Sequence, residues 1–243
     1  MARKITARLV LIVGSLFYSS FVVELFAGYP LPPTRAFLSE LAARDQPTSG
    51  LVRTTDVLAG LSFFAAGLLL IPAHLKRIEG TSTRSSFRKK SSRSQSRAPF
   101  LAVYGQVLVI IGLGITGIAT VLDSVFPLDC AEVGRQCAVQ VAAGAVSLPH
   151  HIHVITSSAA GVGIMVVAAG CLAVGCQRQQ ALTITLRVIA VGVVLTVAAQ
   201  LVAIACGWPV GVAQRLQVVL TVVMFIVMAF PLTSSDLAPS QEH

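Results

Sequence analysis

Six apolar runs, each about as long as a helix needs to cross a bilayer, divide this chain almost from end to end. They cover about residues 9–28, 54–74, 99–122, 151–176, 186–206 and 216–232. A stretch of roughly 20 apolar residues satisfies its backbone hydrogen bonds within a single helix, so it can stand in hydrocarbon. A core helix of a soluble protein would carry polar residues every third or fourth position, and these runs mostly do not. The period-two alternation of a membrane β-barrel is absent too. Composition agrees: only 12% of the 243 residues are charged and 55% are hydrophobic, far from the about 25% charged of a soluble domain. The chain is expected to be all-α, one integral membrane bundle of six transmembrane helices over residues 1–235, with a short tail at 236–243.

Basic residues set the expected direction. Thirteen of the eighteen Lys and Arg fall before the first run, between the second and third, or around the connection of the fourth to the fifth. Seven of the ten acids fall on the other side. Both termini are therefore expected in the cytoplasm. The net charge of +8 is a topology signal and not a nucleic-acid footprint, which would need a folded basic face. The basic connection, about 76–98, includes the Ser-, Lys- and Arg-rich run Thr81–Arg97 and reads as a disordered loop attracted to anionic lipid, with serine phosphorylation as the alternative. The first run is too long for a signal peptide and lacks a small-residue cleavage site, so it reads as a retained span.

Cys130 and Cys137 lie seven apart in a polar connection on the expected outer side. An oxidising compartment favours a disulfide between them, and the spacing matches no zinc knuckle. Cys171, Cys176 and Cys206 fall in or at the ends of spans and read as small packing residues.

Ionisable groups in spans are costly and default to functional candidates. Glu24 and Ser20 sit near the outer end of span one, and Asp56 near the start of span two. Thr116, Thr120 and Asp123 share one face of span three; His150, His153 and Ser157 share one face of span four, with His151 beside them. Arg215 begins span six. All belong to the outer third, so five helices can contribute to one outward-facing polar cavity. Against that stands the plain reading that residues near span ends simply meet headgroups and water. The histidines admit three readings: a metal site of His150, His153 and Asp123, zinc being the natural ion; a hydrogen-bonding role; or proton handling. No metalloprotease, phosphate-loop or hydrolase-elbow motif is present. Gly112, Gly114, Gly117, Gly161 and Gly163 suggest close helix contacts. Between spans one and two, Thr34–Asp45 reads as a short interfacial helix that carries Ser39 and Glu40 over the mouth shared with Asp56.

Several short motifs occur in a distinctive order: Ser39-Glu40-Leu41, Asp56 with Gly60, Phe126-Pro127-Leu128-Asp129-Cys130, His150 with His153, and Gly211 before Gln214-Arg215. In this the chain resembles the bacterial six-span membrane proteins grouped as domain of unknown function 998. The family carries an acid where this chain has Gln214. The resemblance implies a six-helix fold in the cell membrane and an outer-face polar cluster, and no assigned reaction. A looser similarity, in residue types alone, is to membrane hydrolases that set Ser, Asp and His around zinc.

The reading from the residues is an outward cavity that binds a lipid or other small amphipathic ligand. In it Ser39, Glu40, Asp56 and Arg215 contact the ligand, and Arg215 holds an anionic headgroup. An enzymatic version is a metal-assisted hydrolase or transferase acting on a lipid or isoprenoid, with Asp56, Asp123, His150 and His153 as catalytic candidates. The non-enzymatic rival is a small proton-linked transporter or accessory subunit. The few polar residues in the inner halves, Ser15, Tyr18, Gln106 and His74, offer it little.

Overall fold

The computed structural model describes residues 2–87, 97–173 and 180–230, with side chains for 2–72, 103–173 and 180–230. Among them, six helices are long and apolar enough to cross a membrane, and no strand occurs. The bundle is all-α, as the sequence implies. The ends of two expected spans (174–176 and 231–232), residues 88–96 of the basic connection and the tail at 236–243 lie outside the described residues.

The first span is broken. Helix α1, Ala2–Phe17, gives way to a 3-10 turn at Ser20–Val22 and then to the short α2, Val23–Phe26. Ser15 and Ser19 donate their hydroxyls to the carbonyls of Leu11 and Ser15, 2.8 and 3.0 Å away. Such bonds compete with the helix ladder and bend it.

Helix α3 runs over Ser49–Phe87. It begins five residues before the expected span, because Thr48 and Ser49 bond the carbonyls of Leu41 and Ala42 and anchor the first turn. It also continues through residues 76–87, expected in a disordered loop. No proline stands between Pro72 and Pro99 to stop it.

Helices α4, Arg97–Val125, and α6, Leu148–Ala173, form the central pair, with α5, Arg135–Ala142, in the connection between them. α3 packs on α4, α1 on α3, and α7, Gln180–Cys206, on α8, Gly211–Met228. α6 meets α7, and α1 meets α8. Glycines make the closest seams. A Cβ on Gly117 would lie 2.6 Å from the Gly60 carbonyl oxygen, and one on Gly112 would lie 2.8 Å from that of Gly163. Gly114 and Gly161, grouped with them in the sequence, face open space.

The main core gathers Phe63, Leu113, Ile164, Val167, Met224 and Phe225 at mid-bundle. A second, smaller core of Leu31, Leu38, Leu41, Val52, Ala131 and Val218 lies among the connections at one end. That end carries the Cys130–Cys137 disulfide and is called the disulfide end below. Cys171 is buried, but Cys206, expected to pack, is exposed.

Candidate functional site

At the disulfide end, polar side chains tie the connections to one another. Thr34–Asp45 contributes a 3-10 turn, Leu38–Ala42, in place of the expected interfacial helix. Glu40 in this turn is buried. Its two oxygens accept the N–H groups of Phe37 (3.0 Å) and Val133 (2.9 Å). Burial raises its carboxyl above the ordinary value, while these two N–H groups pull it back. Asp45 accepts the Ala131 N–H, and the Arg44 N–H reaches the Leu128 carbonyl. Ser39 is half-buried in the same turn.

Arg215 lies at the head of α8. Its Nε and Nη2 donate to the two Glu24 oxygens at 2.8 and 2.6 Å, and its Nη1 to the carbonyls of Pro33, Ala36 and Gly211. Both side chains are largely shielded, at 14% and 5% exposed. The guanidinium, expected to hold a headgroup, is committed to a two-point ion pair and three carbonyls. Gln214 accepts the Leu38 N–H at 2.6 Å through its side-chain oxygen. Gly211 lets the 33–36 segment lie on the first turn of α8, since a Cβ there would strike the Pro33 carbonyl.

Asp129 opens α6. It accepts the Ser147 N–H at 2.6 Å and the Ser147 hydroxyl at 2.7 Å, with Arg44 3.5 Å away. The Ser147 N–H first, and Arg44 behind it, hold its carboxyl below the ordinary value. The Asp129 N–H donates to His150 Nδ1 at 3.3 Å, which makes that nitrogen the acceptor. His150 Nε2 then donates to Glu132, 3.1 Å away. Both ring nitrogens of this buried histidine are thus occupied.

His153 belongs to a different network. Its Nδ1 faces the carbonyls of Asp123 (3.1 Å) and Phe126 (3.0 Å) and the Asp123 carboxylate (3.2 Å). All three are acceptors, so Nδ1 carries the proton and Nε2 a free lone pair. Nε2 is buried without a hydrogen-bond partner, as are the hydroxyls of Thr116 and Thr120 on the facing helix. Asp123 accepts the Thr156 hydroxyl at 3.0 Å and bonds Ser157 as well. Asp56 on α3 lies within electrostatic reach of Asp123, and Tyr18 within reach of both. Asp56 is half-buried, with no hydrogen bond or ion pair to the described residues.

Three helices and the turn after α1 therefore bring Tyr18, Asp56, Asp123, His153 and Thr156 into one polar cluster. Glu40, Arg215 and His150 are engaged elsewhere. Among the described residues, no three His, Cys, Asp or Glu side chains gather as a metal-binding group, and the two histidines expected to share an ion turn to separate partners. Tyr18, assigned from the sequence to the inner half, lies within electrostatic reach of both acids. Thr156 was not singled out, although it stands three residues beyond His153 and so on the same face.

The family model for the protein of unknown function DUF998 matches residues 96–231, more than half of the chain. The matched stretch holds α4 to α8, and with them Asp123, His150, His153 and Arg215; Asp56, Glu40 and Ser39 precede it. No curated protein and no solved structure matches the chain.

Proposed function

Since the chain belongs to the DUF998 family, whose activity is unknown, we propose that it is a multi-pass membrane protein that binds the polar end of a lipid or other amphipathic ligand at the Asp56–Asp123–His153 cluster. One observation carries the reading. Asp56 and His153 Nε2 have no partner among the described residues, while every other acid near the disulfide end is hydrogen-bonded or ion-paired within the protein. A polar group held in a membrane span without a partner is costly, and a bound ligand removes that cost.

In this reading the disulfide end faces outward and both termini lie in the cytoplasm, as the distribution of Lys and Arg favours. Arg215, Glu40 and Ser39 shape the end of the bundle and do not touch the ligand. A metal-assisted hydrolase has less support, because the candidate ligands do not converge. The proximity of the two carboxylates favours proton handling as the second reading.

The test is lipid mass spectrometry on wild type and on an Asp56→Asn/His153→Gln double variant, purified alike. Loss of one co-purifying amphiphile from a variant of unchanged melting temperature supports binding. An identical lipid complement in both overturns it.

A further inference from the structure

We infer that the group taken by this cluster is a protonated amine, so that the ligand is a cationic, amine-bearing amphiphile. The inference rests on the binding reading above and adds the chemistry of the ligand.

The cluster offers acceptors. Among the described residues, Asp56 presents a carboxylate with no hydrogen bond, and His153 Nε2 a buried lone pair, on a side chain 3% exposed, with no partner. The tautomer is fixed by the three acceptors around Nδ1, so Nε2 cannot donate unless the ring takes a second proton. Asp123 adds a second carboxylate. The hydroxyls of Tyr18, Thr116 and Thr120 can give or accept.

Among the described residues, none of the arginines near this end, Arg35, Arg44, Arg53, Arg135 and Arg215, forms an ion pair with Asp56 or Asp123. Arg53, one turn before Asp56, gives its Nε to the Ser124 carbonyl at 2.8 Å. Arg215 is held by Glu24, and Arg44 lies against Asp129. A phosphate or carboxylate headgroup would bring more acceptors and like charge. An ammonium brings three donors and the missing positive charge.

The experiment uses the full chain in phosphatidylcholine nanodiscs, with empty discs as the reference for partitioning. Dodecylamine, dodecyltrimethylammonium, dodecyl phosphate and dodecanol are titrated in turn. Dodecylamine is expected to bind saturably and about tenfold or more tighter than dodecyl phosphate, the worth of one charge-assisted contact. Dodecyltrimethylammonium, with the charge but no N–H, is expected to fall between them. Asp56→Asn should weaken amine binding about tenfold, and the fold should tolerate it because Asp56 has no internal bond to lose. His153→Gln, read the same way, is the second variant.

Phosphate binding as tight as amine binding overturns the charge assignment and leaves amphiphile binding standing. Saturable amine binding unchanged in both variants overturns the location. No saturable binding of any of the four compounds overturns the binding reading and this inference with it.

Discussion

His150 and His153 stand one turn apart on α6 and serve separate networks, His150 between the Asp129 N–H and Glu132, His153 between Asp123 and the Phe126 carbonyl. They share no partner. A double-mutant cycle of His150→Ala and His153→Ala, read by thermal unfolding in detergent, is expected to give a coupling under about 0.5 kcal/mol. A coupling of several kcal/mol would mean that both hold one common ion or group.

The Arg215–Glu24 pair is shielded and two-pointed, so removing one member strands the other. Arg215→Ala is expected to cost about 3–5 kcal/mol. Arg215→Lys should recover only part of this, because an ammonium cannot make the fork. Replacing both members by apolar residues should cost less than Arg215→Ala alone, since no bare charge is left. Unfolding midpoints of the three variants check the order.

Gly117→Ala places a Cβ 2.6 Å from the Gly60 carbonyl and from the Phe64 backbone nitrogen. It should destabilise by about 1–3 kcal/mol through overpacking. Gly114→Ala, three residues earlier and facing open space, should be neutral or stabilise by up to about 1 kcal/mol from helix propensity. Equal melting temperatures for the two variants would contradict this account of the seam.

The Cys130–Cys137 bridge closes a short loop, with a sequence separation of 7. Removing it by Cys130→Ser/Cys137→Ser should cost about 2–3 kcal/mol on the chain-entropy account. Mass analysis after thiol blocking without reductant should show both cysteines protected. Their modification would show that the bridge does not form.

Asp129 titrates below its ordinary value of 3.8, so its bonds to Ser147 contribute stability above that pH. The contribution is lost as the pH falls through the lower, folded value. Wild type should therefore lose melting temperature on acidification below about pH 4. Asp129→Asn, already weaker at neutral pH, should lose less over the same range. Parallel curves would remove Asp129 from the acid response.

The spans were legible because hydrocarbon imposes a composition that no other fold needs, and Leu9–Gly28 shows where that legibility ends. Its hydropathy reveals a span but not the break after Phe17, which depends on Ser15 and Ser19 turning back on their own helix. Helical spacing placed His150 and His153 correctly on one face. Spacing fixes a face and not a partner, and the partners come from the 123–132 segment, whose path only the fold decides. The partners of Arg215 were not legible for the same reason. Nothing in the local sequence indicates that α1 and α8 are neighbours, so Glu24 could not be matched to it. The Cys130–Cys137 bridge was readable because both its ends lie in one short connection.

Glu24 and Arg215 are 191 positions apart, which gives the bundle an order of assembly. A chain threaded into the membrane from its N-terminus presents Glu24 first and must deliver four further spans before the counter-charge arrives with the last. Until then the break in the first span has no lock, and the 33–36 segment has no helix head to rest on. The lock at the disulfide end is therefore the last contact there to close, although half of it is the first to be made.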